Sequence, residues 1–115
     1  SRSDIAVYSG DDSMTLPLMA IGATGVISVL ANIVPKDVKA MTDAALAGDW
    51  ETARRWHLRM FKLAKGLLSI EVNPIPIKTA MAMRGMLQEE FRLPLCNMAP
   101  ANREKLEAAL KEYGL

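Results

Sequence analysis

One strand–helix–strand pattern lies in the first 32 residues, and no later segment has the pattern of a strand. Residues 5–9 (IAVYS) and 25–30 (GVISVL) have strand composition. The second run is continuously apolar, which is typical of a parallel strand buried on both faces. Residues 11–22 between them begin with capping residues and end at a glycine, which predicts a short helix. Because two parallel strands alone leave unpaired backbone groups along both outer edges, this unit requires neighbouring strands.

Helical patterns follow directly after the second strand. Pro35 stands at a plausible first helical position, and apolar residues keep helical spacing up to Gly48: Val38, Met41, Ala45 and Leu46. Asp49 is a candidate cap of the next helix. The apolar stripe of that helix consists of Ala53, Trp56, Met60, Ala64, Leu67 and Leu68.

Two further helices are predicted in the last third of the chain. The segment VNPIP is extended, because the residue before a proline disfavours helix. Pro76 then opens a helix through about Leu87, and residues 91–102 form a loop. Asn102 is a candidate cap of the last helix, whose buried face comprises Leu106, Ala109, Leu110 and Tyr113.

Three explanations account for the isolated strand pair. The chain is the C-terminal piece of a larger α/β protein, or copies of the chain pair their strands to complete a sheet, or the strand predictions are wrong and the chain is mostly helical. The first is the simplest, because the chain starts almost inside the first strand. The first two explanations both supply partners for the unpaired edges of the two strands.

Composition excludes several classes of function. A net charge of +1 is no electrostatic footprint for nucleic acid. The cluster of Arg54, Arg55, Arg59, Lys62 and Lys65 follows two acidic residues on the same helix, and it forms either a solvated helix face or a partner-binding patch. Residues 13–35 carry no charge, but prolines, glycines and a change from helical to strand composition interrupt them, so no transmembrane helix is expected.

The single cysteine and the single histidine argue against a metal site. Cys96 excludes a disulfide framework and fits a reducing cytoplasm. Its loop, LPLCNMAP, predicts a semi-buried small hydrophobe. His57 lies on a helix without a cysteine cluster, so a packing or surface role is expected, and no metal is predicted.

Four motifs occur together in one order: YSGDD at residues 8–12, GATGVISVLANIVP at 22–35, NPIPIK at 73–78 and FRLPL at 91–95. In this order and spacing they resemble the C-terminal part of the dihydrodipicolinate synthase family. These are pyruvate-dependent class I aldolases, a group that also includes N-acetylneuraminate lyase. The resemblance covers essentially the whole chain. One departure is Leu30, where the family commonly has threonine.

The resemblance implies an α/β fold, namely the C-terminal part of a (β/α)₈ TIM barrel plus a C-terminal helical extension. Residues 1–48 correspond to the last two βα units of the barrel, and residues 49–115 to the extension. The missing sheet is then the first six strands. In such barrels the active site lies on the loops after the strands.

The resemblance also implies a chemistry, part of which lies outside this chain. A lysine forms a Schiff base with pyruvate, and the resulting enamine attacks L-aspartate semialdehyde in lysine and diaminopimelate biosynthesis. The family's lysine and proton relay lie on earlier strands, so no catalytic residue is expected here, and Lys78 matches a non-catalytic lysine of the extension. No metal or organic cofactor is implied. The parent enzyme is expected to be cytoplasmic and homo-oligomeric, commonly a tetramer.

Three residues are the candidate substrate-binding positions. Ile27 matches the isoleucine that lines the pyruvate pocket and contacts the keto acid partly through its backbone; from the sequence alone it is a core residue. Gly10 lets the backbone approach a ligand closely. Asp11 either hydrogen-bonds a polar group of the substrate or caps the following helix, and Asp12 is expected to cap that helix.

Two other functions stay open at this stage. One is a related pyruvate-dependent aldolase of sugar acids, such as a neuraminate lyase. The other is a non-catalytic module whose copies associate through the two strands and bind no pyruvate. The sequence features that separate the aldolases are mostly expected outside this segment.

Overall fold

The computed structural model describes residues 4–115. In this range two strands precede the long helices. They are β1 (Tyr8–Ser9) and β2 (Gly25–Val26), with a 3₁₀ turn (Asp12–Met14) and helix α1 (Thr15–Ala20) between them and a second 3₁₀ turn (Leu30–Asn32) after them. The remaining helices are α2 (Pro35–Leu46), α3 (Trp50–Ser69), α4 (Ile75–Met83) and α5 (Pro100–Tyr113). The chain divides into two compact units, one ending at Phe61 and one formed by Lys62–Leu115.

The two strands pair in parallel, as the sequence predicts. Tyr8 lies opposite Gly25. One further hydrogen bond extends the ladder at each end: Thr24 N–H donates to the Val7 carbonyl at 2.8 Å, and Ile27 N–H donates to the Ser9 carbonyl at 2.9 Å. Both strands are shorter than predicted, because within the described residues each finds only the other as a partner.

The core of the first unit forms under the helices that connect and follow the strands. Its buried side chains include Leu16, Met19, Leu30, Ile33, Val34, Val38, Met41 and Ala45. The predicted stripe of α2 is therefore confirmed except for Leu46, which is exposed. Leu46 lies one residue beyond Ala45, at the edge of the stripe and in the last helical turn. Leu46 therefore turns toward solvent.

Asp49 begins α3 as predicted. Its Oδ1 accepts a hydrogen bond from Thr52 N–H at 3.1 Å, which satisfies one of the free donors of the first turn. This hydrogen bond is also the main reason why the pKa of Asp49 lies below its ordinary value. Within the first unit, Ala53 and Met60 are the buried stripe residues of α3.

The second unit packs the end of α3 with α4 and α5. Its buried side chains include Leu63, Leu67, Ile75, Ile77, Ala80, Leu106 and Leu110. Helix α4 ends at Met83 rather than near Leu87. Gly85 takes a left-handed conformation (φ +70°) there, and the N–H groups of Gly85 and Met86 bond back to the last turn.

Helix α5 is capped by a residue distant in sequence, so the expected cap by Asn102 is wrong. The helix starts earlier, at Pro100, a position where the missing N–H costs nothing. Glu71 supplies the acceptor instead: its Oε1 accepts from Ala99 N–H at 3.0 Å and from the Asn102 side-chain amide at 2.8 Å. Among the helices of residues 4–115, none is both long and apolar enough to cross a membrane.

Candidate functional site

The parallel register brings the carboxyl ends of β1 and β2 side by side. Ile27, the first residue after β2, donates its N–H to the carbonyl of Ser9, the last residue of β1. Ser9 is almost fully buried, at 1% exposure. Its hydroxyl donates to the Asp11 carbonyl at 2.8 Å and accepts from Asp11 N–H at 3.1 Å, which fixes the tight turn through Gly10. The sequence pointed to Gly10 and Asp11 but missed Ser9.

Gly10 lies at the open end of this strand pair. It is exposed, and a Cβ added there would meet no atom within 4 Å. Its φ is not in the left-handed region, so glycine is not needed for the shape of the turn. The backbone at Gly10 is therefore open on the side where a side chain would otherwise stand.

Asp11 caps the 3₁₀ turn that follows it. Its Oδ1 accepts from both Ser13 N–H and the Ser13 hydroxyl, each at 2.7 Å. The Asp11 carbonyl accepts from the Thr15 hydroxyl at 3.0 Å. Of the two roles considered for Asp11, the capping contact is present, and a substrate contact stays a prediction.

Asp12 does not cap the helix that follows it, so that expectation is wrong. Its carboxylate crosses to the turn after β2, where it accepts from the Ser28 hydroxyl, from Val29 N–H at 2.9 Å and from Leu30 N–H at 3.1 Å. Ser28 Oγ in turn accepts from Ala31 N–H at 2.9 Å. Asp12 is buried, at 9% exposure. The only sequence signal for this contact is the pair of adjacent aspartates.

Ile27 follows β2 with its side chain facing out. The side chain is 74% exposed, so among the described residues Ile27 is not a core residue. The next apolar position, Leu30, is 1% exposed and belongs to the core. Leu30, where the family commonly has threonine, is therefore an apolar side chain in the apolar core.

No lysine of the chain lies on a strand. All of them lie on helices α2 to α5: Lys36, Lys39, Lys62, Lys65, Lys78, Lys105 and Lys111. Lys78 donates to the Glu90 carbonyl, and its ammonium lies 4.9 Å from the centre of the Phe91 ring. These contacts give Lys78 a structural role in the second unit.

His57 and Cys96 are the remaining candidate reactive side chains among residues 4–115. In the described part of the chain, no group of three or more His, Cys, Asp or Glu residues has a geometry that suits a metal ion. His57 is half-buried 5.7 Å from the Phe61 ring, and burial lowers its pKa below 6.5. Cys96 is exposed, so its predicted semi-buried packing role is wrong.

The basic cluster on α3 is exposed, and its Lys62 donates to Glu112 Oε1 of α5 at 2.6 Å. Arg55 donates to the Thr52 hydroxyl at 3.1 Å, and the Arg59 guanidinium lies 5.3 Å from the centre of the Trp56 ring. These four side chains line a shallow groove of about 320 Å³. The contacts fit a solvated helix face better than a recognition site.

Comparison with known proteins identifies one family. The sequence profile described as "Dihydrodipicolinate synthetase family" matches residues 1–113. The 4-hydroxy-tetrahydrodipicolinate synthase of Geobacter sulfurreducens is 57% identical over 111 residues, which are 96% of this chain and 38% of that protein. The chain thus spans less than two fifths of the length of the relatives it matches.

Solved structures of the same enzyme superpose closely on this chain. Dihydrodipicolinate synthase from Aquifex aeolicus matches with a TM-score of 0.95 and 52% identity, covering 98% of this chain and 38% of that one. The chloride-inhibited enzyme from Acinetobacter baumannii, complexed with pyruvate, matches with a TM-score of 0.91 and 42% identity, covering 96% and 38%. The chain belongs to the dihydrodipicolinate synthetase family.

Proposed function

We propose that this chain supplies the last two βα units (residues 1–48) and the helical extension (residues 49–115) of a 4-hydroxy-tetrahydrodipicolinate synthase. The enzyme is a lyase that condenses pyruvate with L-aspartate semialdehyde in lysine biosynthesis. The observation that carries the proposal is the parallel pair β1–β2, whose carboxyl ends place Gly10 and Ile27 together. In a (β/α)₈ barrel this is the end that carries the active site.

The exposed apolar side chains of the strand region support the barrel. Ile5, Val7 and Tyr8 are each more than half exposed, as is Ile27 after β2. Neighbouring strands and the helices of a barrel cover such side chains and complete the backbone hydrogen bonds at the sheet edges. The partner that fits is the part of the family's chain that these residues do not cover.

Ile27, Gly10 and Asp11 are the proposed pyruvate-binding residues of this segment. Ile27 N–H is already held by the Ser9 carbonyl, so the backbone of Ile27 has a fixed position beside the open end of the strands. The gap at Gly10 leaves room for a small keto acid near the backbone. The Asp11 carboxylate stands on the same turn. A relative named as bound to pyruvate supports this substrate.

The covalent chemistry belongs to a lysine outside these 115 residues. Its amine adds to the keto carbon of pyruvate and water leaves, which gives the Schiff base; loss of a proton gives an enamine, whose carbon attacks the aldehyde of L-aspartate semialdehyde. The helical positions of the lysines in this chain support that assignment. The complete enzyme needs neither a metal nor an organic cofactor, works in the cytoplasm, and assembles as a homo-oligomer, commonly a tetramer.

The test uses a chimaera in which these residues replace the matching part of the Aquifex aeolicus enzyme. We expect it to condense pyruvate with aspartate semialdehyde. Borohydride reduction in the presence of pyruvate should attach pyruvate to a lysine outside the grafted residues, as intact mass and peptide mapping can determine. The 115-residue chain alone, treated in the same way, should stay unmodified.

Three results would contradict the proposal. An adduct on a lysine of the grafted segment would place the nucleophile here. Turnover of N-acetylneuraminate in preference to aspartate semialdehyde would indicate a sugar-acid aldolase. A stable dimer of the 115-residue chain, together with an inactive chimaera, would indicate the self-associating module.

A further inference from the structure

The Asp12 carboxylate joins the two turns that border the proposed pyruvate site. Asp12 belongs to the turn after β1, and all three of its hydrogen-bond donors belong to the turn after β2. The sequence separation is 16 to 18 residues.

The contact satisfies the backbone at the start of the second 3₁₀ turn. Val29 stands at its N-cap position and has no polar side chain, so the free N–H groups of the first turn need an acceptor from elsewhere. Asp12 Oδ2 accepts from Val29 and Leu30, and Ser28 Oγ accepts from Ala31. Hydrogen bonds to a buried carboxylate are strong, and removing the carboxylate costs free energy because its donors are left unsatisfied.

Ile27 lies between the two points where this backbone is held. Its N–H donates to the Ser9 carbonyl, and the next residue, Ser28, donates to Asp12. Among the described residues the Ile27 side chain is exposed, so this segment holds Ile27 through its backbone. The position of the Ile27 backbone therefore depends on these hydrogen bonds at either side.

We propose that Asp12, acting through Ser28 and the backbone of residues 29 and 30, is a positioning residue that sets the Ile27 backbone against bound pyruvate. This inference rests on the proposed function. Asp12 itself does not touch the keto acid. Small misplacements of binding groups in an active site weaken binding and slow the reaction. Removing Asp12 should therefore weaken the binding of pyruvate.

The amide analogue offers a conservative rescue. In Asp12→Asn, the side-chain oxygen can take the place of Oδ2 and accept from Val29 and Leu30. The amide nitrogen then faces Ser28 Oγ, a hydroxyl that accepts as well as donates. Asp12→Ala loses all three contacts, and Ser28→Ala loses the contacts to Asp12 and Ala31.

The first test measures steady-state kinetics of the chimaera. We expect Asp12→Ala to raise KM for pyruvate about tenfold or more and Ser28→Ala to raise it less, while Asp12→Asn stays near the parent. KM for aspartate semialdehyde should change little. Met41→Ala, a buried substitution on α2, is the control for lost stability and should lower the melting temperature without changing KM for pyruvate. Equal KM changes in Asp12→Ala and Met41→Ala, or none in Asp12→Ala, would overturn the proposal.

The second test separates this inference from the proposed function. It follows amide hydrogen exchange in the chimaera, a measurement that needs no catalytic activity. Val29 and Leu30 should exchange about tenfold faster or more in Asp12→Ala than in Asp12→Asn, while the amides in the middle of α2 keep their rates. An inactive parent chimaera with this exchange pattern would contradict the proposed function and leave the role of Asp12 in holding the turn established. Unchanged exchange would overturn that role directly.

Discussion

Arg103 and Glu89 form a close ion pair in the second unit: Arg103 Nη1 lies 2.7 Å from Glu89 Oε2 and 3.0 Å from Glu89 Oε1. The Glu89 side chain is only 19% exposed. Thr79, which is fully buried, lies 3.5 Å from the same carboxylate. The pair fixes the irregular segment after α4 against α5. Breaking it should therefore lower the free energy of unfolding more than breaking a surface ion pair does.

Arg103→Ala is expected to lower the free energy of unfolding by about 2 kcal/mol, because it leaves a mostly buried carboxylate without its charge partner. Lys39→Ala is the matched control. It removes an exposed pair with Asp43 on α2 and should cost less than about 0.5 kcal/mol. Urea unfolding of the 115-residue chain at neutral pH measures both. Equal losses would show that burial of Glu89 does not matter.

Ile27→Ala is expected to separate stability from binding. Because the Ile27 side chain is mostly exposed, its loss should change the unfolding free energy of the chain by less than about 0.5 kcal/mol. Leu30→Ala, three residues further along, should cost about 2–5 kcal/mol, because Leu30 is fully buried. In the chimaera, Ile27→Ala should raise KM for pyruvate. A large loss of stability in Ile27→Ala would mean that the side chain packs inside this unit.

Gly25→Ala is expected to disturb the strand pair. A Cβ at Gly25 would lie 3.2 Å from two atoms of the Tyr8 ring, closer than ordinary packing. The expected cost is about 1 kcal/mol. Tyr8→Ala in the same chain should remove most of that cost, and Gly10→Ala, which meets nothing, should be nearly neutral in unfolding experiments. A cost that persists without Tyr8 would point to the backbone of β2 instead.

His57 should make stability depend on pH in one direction. Burial lowers the pKa of His57 in the folded chain below 6.5, so the unfolded chain binds a proton at higher pH than the folded one. Above pH 6.5, His57 is neutral in both states and the free energy of unfolding is not reduced by its protonation. As the pH falls from 6.5 through the folded pKa, protonation of His57 in the unfolded chain lowers the free energy of unfolding. His57→Gln should remove this loss, as parallel urea titrations between about pH 8 and about pH 5 can measure. A folded pKa above 6.5 by NMR would contradict the prediction.

Local patterns predicted the parts of the fold that local physics decides. The spacing of Val38, Met41 and Ala45 identified the buried face of α2, and Asp49 identified the start of α3. The parallel pairing of two short strands followed from their composition and the helix between them. The resemblance of the four motifs identified the family, which the sequence profile confirms.

Contacts between residues distant in sequence determine the features that the sequence patterns did not predict. Residues 28–30 were predicted as strand, yet the chain turns there because a carboxylate 16 to 18 residues away accepts its hydrogen bonds. The start of α5 was misplaced because Glu71, 28 residues before Ala99, supplies the cap. Short polar residues next to a helix look like local caps whether their partners are near or far.

The bond network of Asp12 also has a consequence for how this part of the molecule can change. A substitution of Asp12, or an insertion that displaces it, removes the acceptor for the turn after β2, so the two loops cannot be redesigned independently at this contact. Libraries that vary both loops independently should yield mostly inactive enzymes, whereas libraries that preserve the acceptor at position 12 should tolerate changes around it. The two loops therefore form one structural unit joined at position 12.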